Sequence, residues 1–241
     1  MKTTNTVQRL FFTFTLLLLA QSAFGQTQSL DKFIDSHAKK HDFSGTILIQ
    51  NNSKIALARS YGLANRQHKI PNRIETRYKV ASITKALTAV LILRLYEQGK
   101  LDLDKTINTY LPDYAGEAGM RVTIHQLLNH TAGMANLDRN LTSAESAIRN
   151  GIPHLQTPMT SDELLRKYAS DKLVNAPGKI FDYNNADYIV LGKIIERVSG
   201  KPYELVLQEN ILQPLNMRDS GMLDQHRILD DLADSYFYRD D

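Results

Sequence analysis

The spacing of hydrophobic residues changes from a helical to a strand period within the first quarter of the chain. Apolar residues recur at helical spacing between Ser29 and His41, which predicts an amphipathic helix. The next two runs, SGTILIQ (Ser44 to Gln50) and KIALARSYG (Lys54 to Gly62), have the composition of strands. Asn51-Asn52-Ser53 joins them, and asparagine tolerates the positive φ angles of a tight hairpin turn. We therefore expect a helix followed by two antiparallel strands.

The rest of the chain is patterned as helices and loops. An apolar run from Lys79 to Leu101 predicts a long helix that has Ser82 near its start and ends at Gly99. Further helices are predicted over TIHQLLNH (Thr123 to His130), SAESAIRN (Ser143 to Asn150), SDELLRKYAS with Ser161 as N-cap, and DYIVLGKIIERVSG (Asp187 to Gly200). No third strand is predicted, although an isolated hairpin is marginally stable in water. The two predicted strands therefore need partners that the pattern does not supply.

The first 25 residues are patterned as a secretory signal peptide. Lys2 and Arg9 precede an apolar run from Leu10 to Ala20, and Ala23-Phe24-Gly25 predicts cleavage before Gln26. The alternative is a membrane anchor, but the run is shorter than the about 20 residues that a spanning helix requires. The chain contains no cysteine, which excludes disulfides and a lipid-modified cysteine. We expect a secreted or periplasmic bacterial protein with no transmembrane anchor after cleavage.

The charge balance argues against a nucleic-acid partner. The net charge is +3, and removal of Lys2 and Arg9 with the signal peptide lowers it to +1. The most basic stretch, from Arg66 to Lys79, has no interleaved aromatic pattern and contains Asn and Pro, so it is predicted to be a solvated loop. The expected partner is a small-molecule or peptide substrate, and the sequence assigns no oligomeric state.

The chain contains three Ser-x-x-Lys patterns. Two of them, Ser29 to Lys32 and Ser36 to Lys39, lie in the first predicted helix, and the third, Ser82 to Lys85, opens the long apolar helix. Side chains three residues apart share a helix face, and a buried lysine can accept or relay a serine proton. Ser82 therefore has two interpretations, a nucleophile with Lys85 as its partner or an ordinary helix cap with an exposed lysine.

A Tyr-x-Asn pattern lies in the loop that precedes the last predicted helix. Tyr183-Asn184-Asn185 occurs within PGKIFDYNNADYIVLG, and no other Tyr-x-Asn exists in the chain. A tyrosine close to a lysine can act as a general base, and an asparagine can hold a substrate amide or the lysine itself. The alternative interpretation is a surface turn without a catalytic role.

Taken together, these segments resemble the serine β-lactamase and penicillin-binding-protein superfamily, in the branch of class C β-lactamases, D-Ala-D-Ala carboxypeptidases and related esterases. The resemblance runs from about Phe43 to Met217 over FSGTILI, YKVASITKALTA, LYEQGKLDLDKTINTYLPDY, TIHQLLNHTAGM, PGKIFDYNNADYIVLGKIIERVSGKPY and ILQPLNMRDSGM. It implies an α+β fold of an antiparallel sheet plus a helical subdomain, with strands at about 44–62 and helices over about 80–241. The class A Ser-Asp-Asn pattern is absent from the sequence.

The resemblance also implies roles for single residues. Ser82 corresponds to the acylated nucleophile, Lys85 to its proton partner and Tyr183 to the base that later protonates the leaving group. Asn185 corresponds to a contact of the substrate or the lysine, whereas His130 and Gly133 match a segment that we interpret as structural. The implied reaction is hydrolysis of amide or ester bonds, of the β-lactam, peptidoglycan D-Ala peptide or ester class, without a metal or cofactor.

One element of the family pattern is missing. No Lys-Thr-Gly or His-x-Gly pattern follows Tyr183, and this pattern would lie on a strand beside the nucleophile. We therefore expect residues 26–241 to be the N-terminal portion of a β-lactamase-like domain whose C-terminal strands are absent from this chain. Loss of one oxyanion donor costs about 10²–10³-fold in rate, so the chain alone should be impaired.

Two further hypotheses compete with an active hydrolase. The first is a truncated, non-catalytic chain or a ligand-binding remnant. The second is a metallohydrolase, which has little support because the two pairs of histidines, His37 with His41 and His125 with His130, lack the acidic partners of a metal site.

Overall fold

The structure, a computed structural model, describes residues 30–136, 145, 157–224 and 227–236. The predicted signal peptide lies outside the described residues, as does the predicted SAESAIRN helix apart from Glu145. The described residues form two compact units, one within Met1–Lys79 and Leu229–Asp241 and the other within Val80–Ile228. We call them the strand unit and the helical unit.

The strand unit contains the predicted helix and hairpin. Helix α1 covers residues 30–40, and β1 (Gly45–Asn51) pairs antiparallel with β2 (Lys54–Tyr61). The connecting residues Asn52 and Ser53 have φ angles of 46° and 63°, which is the left-handed geometry of a two-residue hairpin turn. The predicted hairpin and its turn are therefore confirmed.

A second, shorter ladder lies where the sequence predicts a loop. Strand β3 (Leu63–Asn65) pairs with β4 (Ile70–Pro71), so part of the basic stretch after Arg66 is paired. A ladder this short has too few alternating positions to produce a strand period. Residues 229–236, predicted as part of the helical region, instead contact the strand unit, where Leu232 pairs with Arg77. Each sheet in the described residues has two strands.

The helical unit is built around two long helices. A 3₁₀ turn (Ala81–Ile83) leads into α2 (Thr84–Glu97), and α6 (Asn185–Ser199) ends at Gly200, whose φ of 69° is left-handed. The other helical elements are α3 (Ile107–Tyr110), a 3₁₀ turn (Glu117–Met120), α4 (Ile124–Leu128), α5 (Ser161–Tyr168), α7 (Tyr203–Leu207) and a π-helical turn (Gln208–Leu212). The cap of α5 is Thr160 and not Ser161, because Thr160 forms a capping box with Glu163.

Helix α6 lies at the centre of the helical unit. It contacts α2, α3, α4, α5 and α7. Its buried apolar side chains Val190, Leu191, Ile194 and Ile195 repeat at helical spacing, which is the pattern that predicts this helix. The mixture of helices and antiparallel strands confirms the predicted α+β class. None of the described helices combines the length and the hydrophobicity needed to cross a bilayer.

Candidate active site

Ser82 occupies an exposed turn at the N-terminal end of α2. It is the middle residue of the 3₁₀ turn Ala81–Ile83, which runs directly into the α-helix. Ala81 has a φ of 45°, in the left-handed region that is costly for a residue with a Cβ atom. Strain of this kind concentrates at functional sites. The turn presents the Ser82 hydroxyl to solvent beside the first N–H groups of the helix.

Lys85 lies one helical turn after Ser82. Its ammonium group donates hydrogen bonds to Ser82 Oγ at 3.2 Å and to Asn185 Oδ1 at 2.5 Å. The side chain of Lys85 is half-buried. By contrast, Ser36 of the second Ser-x-x-Lys pattern donates to the backbone oxygen of Phe33 within its own helix, at 2.9 Å. The structure thus brings Ser82 and Lys85 together as the spacing predicts.

The Tyr183 side chain also contacts Ser82. Its hydroxyl donates to Ser82 Oγ at 2.7 Å, although 101 positions separate the two residues. The Lys85 ammonium lies 4.7 Å from the centre of the Tyr183 ring and 5.7 Å from that of Tyr188, within range of cation–π attraction. All four predicted site residues, Ser82, Lys85, Tyr183 and Asn185, therefore lie in one cluster.

The three residues of the Tyr-x-Asn pattern make different contacts. Helix α6 begins at Asn185, two residues before the predicted start at Asp187, so Asn185 lies on the helix and not in the loop. Asn184 is its N-cap: the Oδ1 atom accepts from Ala186 N at 2.9 Å, and Nδ2 donates to Met134 O at 2.9 Å. Asn184 fixes the start of the helix, and the residues on either side of it contact Lys85 and Ser82.

His130 holds the backbone on both sides of Tyr183. Its carbonyl oxygen accepts from Asp182 N at 2.8 Å, and its Nδ1 atom accepts from Asn184 N at 3.2 Å. The imidazole and the Tyr183 ring have centres 4.6 Å apart. His130 has a φ of 59°, and the sequence interpretation of this residue as structural agrees with these contacts.

Asp187 is a site residue that the sequence interpretation did not select. It is 1% exposed, and its Oδ2 atom lies 3.0 Å from His130 Nδ1. Burial, with a smaller contribution from Asp182, raises the pKa of Asp187 to about 8, whereas Lys85 lowers it. Burial and then Lys85 lower the pKa of His130. The helical spacing of Asp187 with Val190, Leu191 and Ile194 is the signal that could have indicated its burial.

The cluster has the components of nucleophilic acyl transfer. It contains an exposed serine hydroxyl, a second hydroxyl within proton-transfer distance and a half-buried ammonium group. Within the ranges that the structure describes, no three His, Asp or Glu side chains are grouped as metal ligands would be. Independence from metals and cofactors stays a prediction.

Comparison with known proteins gives consistent matches. A model of the Beta-lactamase family matches residues 30–236. The esterase EstB of Burkholderia gladioli is 34% identical over 204 residues, which cover 80% of this chain and 51% of the esterase. Three other curated relatives are matched over 46% or less of their length. The chain therefore spans about half the length, or less, of the curated relatives it matches.

Solved structures share the fold. A penicillin-binding protein from Bacillus halodurans is similar with a TM-score of 0.72 and 32% identity, covering 83% of this chain and 60% of that protein. A class C β-lactamase in complex with cefoxitin has a TM-score of 0.67 at 23% identity, covering 86% of this chain and 54% of that enzyme, which supports the fold alone. The predicted β-lactamase/transpeptidase-like fold is confirmed.

Proposed function

Because the chain belongs to the beta-lactamase family, we propose that it is a serine hydrolase that cleaves amide or ester bonds through an acyl-enzyme at Ser82. The observation that carries the proposal is the convergence of two donors on Ser82 Oγ, Lys85 Nζ at 3.2 Å and Tyr183 OH at 2.7 Å. An ordinary helix cap would need neither. The proposed catalytic residues are Ser82, Lys85 and Tyr183, and Asn185 contacts the lysine and the substrate.

Acylation begins with proton transfer from Ser82 to Tyr183. In the reactive form Tyr183 has lost its hydroxyl proton to bulk water, and the Lys85 ammonium over its ring stabilises the resulting phenolate. The phenolate oxygen, which no longer donates to Ser82, accepts the Ser82 proton. The freed electron pair on Oγ forms a bond to the substrate carbonyl carbon, and the carbonyl π electrons move to oxygen. When this intermediate collapses, the bond from carbon to the leaving nitrogen or oxygen breaks, and Tyr183 returns the proton to the leaving group.

Deacylation repeats the sequence with water as nucleophile. Water transfers a proton to Tyr183 and its oxygen bonds to the acyl carbon, and collapse breaks the bond to Ser82 Oγ, which takes the proton back. The positive end of the α2 dipole favours the oxyanion in both halves of the reaction, because Ser82 lies in the turn at the N-terminal end of this helix.

The proposed substrates are β-lactams, peptidoglycan D-Ala peptides or esters. Similarity to an esterase and to a penicillin-binding protein supports the ester and β-lactam classes respectively. We further propose that residues 1–25 are a signal peptide and that the protein acts in the periplasm or outside the cell, on the basis of the N-terminal sequence pattern.

A matched labelling experiment tests the nucleophile. Fluorescent penicillin and a fluorophosphonate should label the wild-type chain covalently, and Ser82→Ala should abolish the label with both probes. Lys85→Ala should reduce the labelling strongly, whereas Ser36→Ala, in the second Ser-x-x-Lys pattern, should leave the labelling unchanged. Labelling that persists in Ser82→Ala would overturn the proposal.

A second, non-catalytic function is favoured by one feature of the strand unit. Leu48 and Ile55 are 60% and 65% exposed on a two-stranded sheet, which is marginal without further strands. On this ground we propose, as the alternative, that the 241-residue chain is a non-catalytic, ligand-binding remnant in which Ser82 is acylated slowly or not at all. Intact-mass kinetics test this: acylation of Ser82 at the rate of a longer family member would contradict it.

A further inference from the structure

We infer that Asp187 is a carboxylic acid that donates a hydrogen bond to His130 Nδ1, and that this neutral pair positions Tyr183 against Ser82. The inference rests on the proposed function in its second half, the positioning of Tyr183. Its first half, the proton location in the pair, is independent of any activity. Neither residue touches the reacting atoms, so both act through Tyr183.

The backbone N–H of Asn184 determines which residue of the pair carries the shared proton. Chain geometry fixes this hydrogen, and it points at His130 Nδ1 with a donor–acceptor distance of 3.2 Å. A proton on Nδ1 would collide with it, so Nδ1 carries the lone pair and not a hydrogen. The 3.0 Å contact between Nδ1 and Asp187 Oδ2 then requires the proton to come from Asp187. Nδ1 thus accepts a shared hydrogen bond from two donors.

The environment of the Asp187 carboxyl group also bears on its protonation. Its Oδ1 atom is buried and has no hydrogen-bond partner among the described residues. An ionised carboxylate with a buried, unpartnered oxygen is costly, whereas the carbonyl oxygen of a neutral acid loses far less on burial. The unpartnered atom therefore favours a protonated acid over a carboxylate.

The charged and titratable groups around Asp187 come from several segments. His130 and Tyr114 approach from outside α6, Tyr188 is its neighbour on the helix, Asp182 precedes the helix, and Lys85 belongs to α2. Asp182 and burial favour the neutral acid, and Lys85 opposes them. The pKa of Asp187 is raised and that of His130 is lowered, so both groups are neutral near neutral pH.

Backbone contacts connect the pair to Tyr183. The N–H groups on both sides of Tyr183, those of Asp182 and Asn184, bind to His130, one at its carbonyl oxygen and one at Nδ1. A His130 ring held by Asp187 therefore fixes the Tyr183 backbone at two points. When Asp187 ionises, it can no longer donate to Nδ1, and its new charge attracts the Lys85 ammonium that contacts Ser82 and Asn185. Ionisation should thus disturb both partners of Ser82.

Nitrogen NMR of histidine-labelled protein tests the proton location without requiring activity. The imidazole of His130 should be the neutral tautomer with its proton on Nε2 near neutral pH, and its signals should shift as the pH rises through about 8, where Asp187 ionises. Asp187→Asn keeps a donor for Nδ1, so this variant should retain the tautomer and lose the shift. Asp182→Asn should keep the transition, moved to lower pH. A proton on Nδ1 or an imidazolium ion at neutral pH in the wild type would overturn the inference.

Acylation kinetics test the positioning half. The labelling rate of the wild type should fall above about pH 8 relative to that of Asp187→Asn. Asp187→Leu, which cannot donate, should lose about 10²-fold in acylation rate, the cost of a misplaced catalytic group. Equal pH profiles for the wild type and Asp187→Asn would overturn the positioning role. Absence of all labelling together with the Nε2–H tautomer would instead count against the proposed function and leave the neutral pair standing.

Discussion

The strand unit and the helical unit are stabilised by different means. Buried apolar residues of the strand unit, among those described, are Ala38, Leu57, Ala64 and Ala233, of which only Leu57 is large. The helical unit instead buries a continuous core of Leu, Ile and Val side chains around α2 and α6. Since apolar burial is the main stabilising contribution, the stability that holds the candidate site comes from the helical unit.

Polar contacts take the place of a core in the strand unit. The Arg59 guanidinium donates to Asp35 Oδ2 at 2.7 Å and to Asp31 Oδ2 at 2.9 Å, and Tyr61 OH donates to Asp35 Oδ1 at 2.8 Å. These contacts connect β2 to α1 through groups that solvent reaches. Exposed ion pairs contribute little to stability and are screened by salt. The strand unit should therefore open more readily than the helical unit.

The largest effect is expected from a core truncation in the helical unit. Leu191→Ala removes a fully buried side chain from α6 and should cost about 2–5 kcal/mol, through lost burial and the cavity left behind. Denaturant unfolding monitored by amide hydrogen exchange of α2 and α6 measures this cost. The matched change in the strand unit, Leu48→Ala, affects a side chain that is 60% exposed and should cost less than about 0.5 kcal/mol. Similar costs for the two variants would contradict the contrast.

A glycine substitution gives the next largest effect and tests packing directly. Gly133 has a φ of 73°, and a Cβ atom there would lie 2.2 Å from the carbonyl oxygen of Asn175. Gly99 has a similar φ of 68° with nothing within 4 Å. Gly99→Ala should therefore cost about 1–2 kcal/mol of backbone strain, and Gly133→Ala should cost clearly more because the backbone must also move. Thermal unfolding of the pair checks this, and equal losses would argue against close packing at Gly133.

The sequence predicts elements where a residue type has a strong local preference. The hairpin turn at Asn52 and the end of α6 at Gly200 both contain a residue type that tolerates a positive φ angle. Prediction is less accurate at helix starts: Thr160 is the cap of α5 in place of Ser161, and α6 begins at Asn185, two residues before the predicted start at Asp187. Neighbouring residues of similar capping strength compete at a helix start, and tertiary contacts such as that of Asn184 with Met134 decide between them.

The candidate site was predictable only in part, for a physical reason. Ser82 and Lys85 are neighbours on one helical turn, so spacing alone indicates their contact. The contact of Ser82 with Tyr183 spans 101 positions and was inferred from family resemblance. The role of Asp187 depends on its burial, which its helical spacing with buried apolar residues indicates, and on the direction of one N–H group, which no local pattern of residues encodes.

The two units should also differ, by about 2 kcal/mol, in how their stability depends on pH. Between pH 6.5, the ordinary pKa of histidine, and about 8, the folded state keeps the Asp187 proton that the unfolded state has lost, so stability falls as pH rises. Below pH 6.5 the depressed pKa of His130 acts in the opposite direction and offsets the Asp187 contribution, which extends down to pH 3.8, so stability should change less with pH there. Urea unfolding of Asp187→Asn should show no fall in the upper window. A fall equal to that of the wild type would assign the effect to another group.

The strand unit should respond to pH on the acid side, through Asp35. Arg59, more than any other group, lowers the pKa of Asp35 below its ordinary 3.8, so the stability from this contact is present above that value and is lost as pH falls through the lower pKa. After correction for the intrinsic exchange rate, hydrogen exchange of the β2 amides should therefore show no change in stability between pH 6.5 and 8. A stability change in β2 as large as that in α6 would show that the two units unfold together.

The smallest effect is expected from improving the hairpin turn. Ser53 has a φ of 63°, which costs a serine about 1–2 kcal/mol, whereas glycine adopts it freely at an entropic cost of about 0.5–1 kcal/mol. Ser53→Gly should therefore stabilise the hairpin by about 0.5 kcal/mol, slowing exchange of the β1 and β2 amides about twofold. Asn52→Gly is the matched control and should gain less, because asparagine already tolerates its φ of 46°. Because the turn belongs to the strand unit, exchange in α2 and α6 should stay unchanged. Slower exchange there as well would mean that the stability of the two units is coupled and that the contrast between them is only one of composition.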